Sequence, residues 1–80
     1  LDLLDAHAGE DGCVLMIEGG RIDHAGHGND APAHLRDALA YDDAVAAVVA
    51  CAEADGATLV VSTADHETGG LTLGARGVYA

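Results

Sequence analysis

The sequence predicts an α/β fold, a βαβ unit in which one long helix connects two parallel strands. Residues 13–17 and 58–62 are short apolar runs bounded by turn residues. This pattern is typical of strands that are buried on both faces of a parallel sheet. Between the two runs lies a long stretch with helical periodicity. A helix that connects two strands of one parallel sheet crosses over with a right-handed turn.

The first part of the chain is predicted to contain a short helix, a turn, a strand and a loop. Residues 1–8 have the spacing of a helix that ends near residue 8, and Gly9 and Gly12 mark a turn. The strand at 13–17 is followed by a glycine-rich polar stretch at 19–29. We expect this stretch to be a loop.

The second part is predicted to begin with the long helix. Asp30 is a good N-cap, Pro32 suits the first turn, and Gly56 is a typical residue just beyond a helix that runs to about residue 54. Its inner stripe is predicted to consist of apolar residues: Leu35, Leu39, Val45, Val49 and Ala52. The strand at 58–62 follows, then a polar loop at 63–70, and a third strand can start at 71–73.

The composition narrows the classes of partner. The 80 residues include fourteen acids, three arginines and no lysine, which gives a net charge of −11. Nucleic acids and anionic membrane surfaces need basic patches, so neither is an expected partner. No apolar run is long enough to span a membrane, and no signal-peptide pattern opens the sequence. The acids form either a solvated surface or a set whose charge bound cations offset.

Two further features concern size and cysteine usage. Half of the residues are apolar, but Tyr41 and Tyr79 are the only aromatic ones, so the core is small. We therefore expect a partial domain, truncated at both ends, of a larger protein.

Cys13 and Cys51 lack metal-binding spacing and are expected to be small buried hydrophobic residues, with a disulfide as the less favoured alternative.

Ionisable residues are concentrated in the two loops that follow the predicted strands. Because parallel strands end at the same sheet edge, these loops should lie side by side. A single Asp-His pair after a strand is usually a capped turn, but two pairs at one edge favour a metal site. Carboxylate oxygen and imidazole nitrogen are ordinary zinc ligands, and a cation offsets the repulsion between the acids. His7 and His34 lie on predicted helices and are expected on the solvated surface. The loop candidates are Glu18, Asp23, His24, His27, Asp65, His66 and Glu67.

The two loop motifs, EGGRIDHAGH and TADHETGG, resemble the metal-binding half of alkaline phosphatase. The ND pair at 29–30 and the YDDAV segment of the helix extend the resemblance over nearly the whole chain. It implies a mostly parallel sheet flanked by helices. It also implies a phosphomonoesterase that acts on small phosphate monoesters, is a homodimer and is periplasmic or secreted. Its active site would hold two zinc ions and one magnesium ion.

The resemblance also assigns roles to individual residues. Glu18 would bind magnesium, Asp23 with His27 would hold the first zinc, and Asp65 with His66 would bind the second. His24 occupies a position that lies near the bound phosphate in the family. Glu67, Thr68 and the following glycines shape the second loop and receive no ligand role.

Several parts of the family's site have no match in this sequence. These parts are the serine nucleophile, the phosphate-binding arginine, the aspartate between zinc and magnesium, a threonine ligand and the last zinc histidine. The segment alone is therefore expected to be inactive. The alternatives are another metalloenzyme of the same superfamily, namely a phosphodiesterase, a sulfatase or a phosphomutase, or a non-catalytic cation-binding α/β module.

The periodicity of the long helix singles out one acid. The stripe that contains Leu35 and Leu39 continues at position 42, where Asp42 stands. A core-facing carboxylate needs a partner, because burying it unpaired is unfavourable. Asp42 either caps a nearby loop or accepts a hydrogen bond from the imidazole of His27 or His66, as carboxylates behind zinc-bound histidines do.

Overall fold

The computed structural model describes residues 1–74, and these residues contain three α-helices. Helix α1 spans Asp2–His7, α2 spans Gly20–His27 and α3 spans Ala31–Asp55. Helix α2 packs against α3. The predictions of a helix over 1–8, a turn at 9–12 and a long helix from Asp30 are confirmed.

The predicted βαβ unit is wrong for the part of the chain described. Residues 13–17, 58–62 and 71–73 form neither strand nor helix, and no sheet is present over 1–74. Apolar, β-branched residues favour strands, but a strand exists only where a neighbouring segment pairs with its backbone N–H and C=O groups. No other segment pairs with these runs here. Their side chains are accordingly exposed, as Val14 at 98% and Leu59 at 86% show.

The predicted loop at 19–29 is also wrong over most of its length, because Gly20–His27 is helical. Glycines disfavour helices, which is why the sequence pattern indicated a loop. Packing against α3 supports the helix instead: Ile22 lies in the same hollow as Tyr41 and Ala44 of α3. The acidic Asp23 lies in the first turn and the histidines in the last, which suits the helix dipole.

A tight corner connects α2 to α3. Asn29 has a φ of 49°, its N–H donates to the Gly26 carbonyl at 3.0 Å, and the N–H of Asp30 donates to the Ala25 carbonyl at 3.0 Å. This pair of bonds is the Schellman arrangement that ends many helices. Asp30 then caps α3, because its Oδ1 accepts from the N–H of Ala33 at 3.0 Å. The cap was predicted from the sequence.

The far end of α3 also follows the prediction. Gly56 has a φ of 73° and donates its N–H to the Ala52 carbonyl at 2.8 Å. A residue with a side chain is disfavoured in this left-handed conformation, which glycine adopts freely. The carboxylate of Asp55 accepts from the hydroxyl of Thr58 at 2.6 Å and so fixes the chain where it leaves the helix.

The predicted inner stripe of α3 is only partly correct. Val45 and Ala52 are half-buried, but Leu35, Leu39 and Val49 are exposed. The half-buried face is rotated from the prediction and carries Asp37, Tyr41, Ala44 and Val48, among others. Helix α2 packs on α3, and Tyr41 and Ala44 of α3 share a hollow with Ile22 of α2. Leu35 and Leu39 lie on the exposed face instead.

The described residues do not form a compact domain. Their radius of gyration is 16.9 Å, whereas a compact chain of this size has about 12 Å. No hydrophobic residue is fully buried over 1–74. Cys13 and Cys51 are exposed and are not joined in a disulfide, so their predicted burial is wrong. No helix within residues 1–74 is long and apolar enough to span a membrane.

Candidate metal centre

The structure brings the two predicted motifs together through Thr68. Its hydroxyl donates to Oδ1 of Asp23 at 2.7 Å and lies 3.2 Å from Nδ1 of His66. Asp23 lies on α2 and His66 lies in the polar segment 63–70, more than forty positions along the chain. The prediction that these two stretches lie side by side therefore holds, although no sheet edge aligns them.

A close approach between two glycines allows this contact. Gly26 is the one fully buried residue of α2, and a Cβ added there would lie 2.8 Å from the carbonyl oxygen of Thr68. Gly69 has a φ of +80°, and a Cβ at this position would collide with the Gly26 carbonyl oxygen. Glycine is needed at both positions because the backbones touch.

Two pairs of potential metal donors lie beside Thr68. On α2, Asp23 and His27 are one turn apart, and Oδ1 of Asp23 lies 3.5 Å from Nε2 of His27. In the second segment, Oδ2 of Asp65 lies 3.2 Å from Nε2 of His66. These side chains are accessible, with exposed fractions from 41% for Asp23 to 87% for Asp65. Each pair offers one carboxylate oxygen and one imidazole nitrogen, a donor set that suits zinc.

The hydrogen bonds of His66 determine which nitrogen is free. Nδ1 lies 2.8 Å from the carbonyl oxygen of Glu67, which can only accept, so this nitrogen carries the hydrogen. In the neutral ring, the lone pair is then on Nε2, which faces the Asp65 carboxylate. Two acceptors at 3.2 Å repel each other unless a proton or a cation lies between them. This arrangement fits either a proton on Nε2 of His66 or a cation held jointly by His66 and Asp65.

Hydrogen bonds, together with nearby charges, shift two pKa values in opposite directions. Hydrogen bonding from Thr68 is the main cause that lowers the pKa of Asp23, and the nearby histidines add to it while partial desolvation opposes it. The hydrogen bond to the Glu67 carbonyl is the main cause that raises the pKa of His66, followed by the Asp65 carboxylate. Both shifts favour the charged forms, as expected where acids and imidazoles share a small region.

The remaining predicted residues lie around these pairs. The Glu18 carboxylate bends over Gly20 at the start of α2, where a Cβ would lie 3.4 Å from Oε1. His24 is exposed on α2 beside Asp23. The prediction that Asp42 faces the core is wrong, because Asp42 lies on the exposed face of α3 together with Leu35 and Leu39. Its predicted role behind a metal-bound histidine stays a prediction. His34 was expected on the solvated surface, but it is half-buried. It lines a hollow of about 280 Å³ together with Asn29 and residues 68–72.

The donors of residues 1–74 come in pairs and not in larger sets. No group of three or more His, Cys, Asp or Glu side chains is arranged to hold one ion within this part of the chain. Each pair is thus a partial ligand set. The metal roles of Asp23, His27, Asp65 and His66 stay predictions that the pair geometry fits, and the magnesium role of Glu18, which belongs to neither pair, stays a prediction as well.

The sequence analysis gave Thr68 and Gly69 a part in shaping the second loop but did not predict their contacts. It gave no role to Tyr41 or Gly26. For Gly26, a glycine between two histidines was a usable signal of close backbone contact. Nothing in the sequence specified which group the Thr68 hydroxyl would meet.

The family model described as "Alkaline phosphatase" matches residues 1–80. The chain belongs to the alkaline phosphatase family. It is 56% identical over 61 residues to the repressible alkaline phosphatase of Saccharomyces cerevisiae. These residues cover 75% of this chain and 11% of the relative. It is 46% identical over 70 residues to alkaline phosphatase 3 of Bacillus subtilis, covering 88% of this chain and 15% of the relative.

A third alkaline phosphatase, from Schizosaccharomyces pombe, is 47% identical over 77 residues, which are 92% of this chain and 14% of the relative. The chain thus spans between 11% and 15% of the length of these three relatives. No solved structure matches it. The resemblance to the alkaline phosphatase family that the two motifs predicted is confirmed.

Proposed function

We propose that this chain is a metal-binding segment of a longer alkaline phosphatase, called the intact enzyme below. Two findings support the proposal: the family match, and the contact that joins the two Asp-His pairs through Thr68. The large exposed fractions of Val14, Met16 and Leu59 add to it, since such residues are usually covered by other parts of a protein. The intact enzyme hydrolyses small phosphate monoesters.

The five ligands divide among three ions as the family resemblance implies. Asp23 and His27 hold one zinc, Asp65 and His66 hold a second, and Glu18 binds magnesium. Bound zinc lowers the pKa of an attacking hydroxyl and stabilises the leaving oxygen. Each zinc requires further donors from other parts of the intact enzyme, because this segment supplies one pair per ion. Catalytic zinc commonly has three protein ligands and one open position.

The residues of this chain have separate tasks in that reaction. The Thr68 hydroxyl orients the Asp23 carboxylate, and the Glu67 carbonyl fixes the His66 tautomer so that Nε2 is free to bind. His24 is exposed one position after Asp23. We propose that it contacts the phosphate of the substrate, as the family resemblance implies. The nucleophile and the phosphate-binding arginine come from outside the segment. On family grounds we also propose that the intact enzyme is a homodimer and is periplasmic or secreted.

Single substitutions in the intact enzyme test this proposal. Asp23→Ala and His66→Ala each remove one zinc ligand and should reduce the release of phosphate from an aryl phosphate by several orders of magnitude. His7→Ala is the matched control, because His7 is exposed on α1, away from both pairs. Activity close to wild type in Asp23→Ala or His66→Ala would refute the ligand assignment for that residue.

A further inference from the structure

Tyr41 reaches from α3 to the beginnings of both donor-bearing segments. Its ring packs against Gly19, the residue immediately before α2. Its hydroxyl lies 2.8 Å from Oγ of Ser62, three positions before Asp65, and either oxygen can donate. One side chain on a long helix thus touches the start of each segment.

The ring contact fixes the position at which α2 begins. A Cβ added at Gly19 would lie 2.9 Å from Cδ2 of Tyr41, closer than real Cβ atoms approach other atoms. Glycine therefore allows the backbone to lie directly on the ring. Because Asp23 and His27 are on α2, the ring sets how far this pair lies from α3.

The hydroxyl contact fixes the second segment, which has little other support. Leu59 and Val61 are 86% and 76% exposed and Val60 between them is half-buried, so packing within the described residues gives this stretch little support. The bond between Tyr41 and Ser62 joins positions 21 residues apart in sequence. It attaches the stretch to α3 shortly before the Asp65–His66 pair.

We propose that Tyr41 is a positioning residue that sets the separation between the Asp23–His27 pair and the Asp65–His66 pair. Two contacts hold the donor-bearing segments together. Tyr41 contacts both segments before their donor residues, and the Thr68–Asp23 hydrogen bond joins the segments at the donors themselves. A phosphate that contacts two ions requires that the ions stay at a fixed separation. The proposal rests on the proposed metal-binding function, since it concerns the same donors.

Tyr41→Phe, Ser62→Ala and the double variant of the intact enzyme test this role. Each single variant removes the same hydrogen bond and should weaken zinc affinity about 2- to 10-fold, the range for one bond between uncharged groups. The double variant should be no weaker than either single variant, because only one bond is lost. Zinc affinity is measured by competition with a zinc-buffering chelator, with the melting temperature of the metal-free enzyme measured beside it.

Thr58→Ala is the matched control. It also removes one hydroxyl hydrogen bond from this stretch, the bond to Asp55 at the end of α3, and should leave zinc affinity unchanged. Unchanged zinc affinity in Tyr41→Phe and Ser62→Ala would overturn the proposal, as would effects that add in the double variant. A lowered melting temperature with full zinc affinity would overturn it as well. Full zinc content in Asp23→Ala, in contrast, would refute the metal assignment itself.

Discussion

Replacing Thr68 by valine in the intact enzyme removes one hydroxyl and leaves the shape of the side chain. Valine occupies nearly the same volume but cannot donate to Oδ1 of Asp23, the atom that Thr68 contacts at 2.7 Å. We expect weaker zinc binding at the Asp23–His27 pair, because the carboxylate is no longer held in one orientation. The contact to Nδ1 of His66 is also lost, but this nitrogen keeps its bond to the Glu67 carbonyl.

The size of the effect follows from the surroundings of Asp23. Loss of a group that orients a metal ligand usually costs about 10- to 100-fold in metal affinity or activity. Asp23 is 41% exposed, so water can replace the hydroxyl in part. We therefore expect a decrease near the lower limit, about 10-fold. Loss of the same hydrogen bond should also raise the pKa of Asp23, because donation from Thr68 is the main cause that lowers it.

Competition for zinc with a chelator, applied to a conservative variant, decides whether loss of the hydroxyl causes the weaker zinc binding. Thr68→Ser keeps the hydroxyl and should retain zinc affinity within about 3-fold of wild type, whereas Thr68→Val should not. Phosphate release from an aryl phosphate at saturating zinc measures what remains once the site is filled. Equal zinc affinity in Thr68→Val and wild type would refute the claim that Thr68 orients Asp23. Equal losses in the serine and valine variants would refute the role of the hydroxyl.

Three further predictions concern the loop, the pH dependence and the chain itself. Gly69→Ala should loosen the 68–70 stretch and weaken zinc binding, because its methyl group meets the Gly26 carbonyl at a φ of +80°. Gly70→Ala is the control, because Gly70 also has a positive φ, +68°, but a methyl group there would meet no other atom. A larger loss of zinc affinity in Gly69→Ala than in Gly70→Ala, measured by chelator competition, would show the effect of the collision apart from that of the backbone conformation. Because the pKa of His66 is raised, its protonated form stabilises the metal-free enzyme at low pH, and this stability is lost as the pH rises through that pKa. Zinc affinity should change in the opposite direction, increasing from about pH 6 to about pH 8, which parallel melting and zinc titrations would show. The 80-residue chain alone should hydrolyse no phosphate monoester, and turnover by a preparation free of other phosphatases would contradict this.

Local signals in the sequence were sufficient for two of the three helices. Asp30, Pro32 and Gly56 define the ends of α3 because capping depends on neighbours within a few positions. Helix α2 was missed because its support comes from α3, and the glycines of Gly20–His27 argue against a helix in isolation. The strands were wrong for a related reason: apolar runs such as 13–17 lack a pairing partner within the described residues.

The candidate site shows the same division between local and distant information. Asp23, Asp65 and His66 could be selected from the sequence because each belongs to an adjacent Asp-His pair, Asp23-His24 or Asp65-His66, whereas the metal role of His27 came from the family resemblance. Their connection through Thr68 could not be predicted from the sequence, because a hydroxyl group 45 positions away from its acceptor produces no periodic pattern.

The orientation of α3 was likewise not available from periodicity. The stripe through Leu35, Leu39 and Asp42 was identified as one face, but the structure places that face outward. The inward face was decided by α2 and by the contacts of Tyr41, which depend on residues far away in the sequence.

Counting bound zinc in pair-deleted variants of the intact enzyme tests the central claim most directly. Elemental analysis would compare wild type with Asp23→Ala/His27→Ala and with Asp65→Ala/His66→Ala. If each pair holds one zinc, the wild type should contain two ions per chain and each double variant one. The control variant His7→Ala should keep both zinc ions, because His7 is exposed on α1 and belongs to neither pair. Two zinc ions per chain in either double variant would contradict the account.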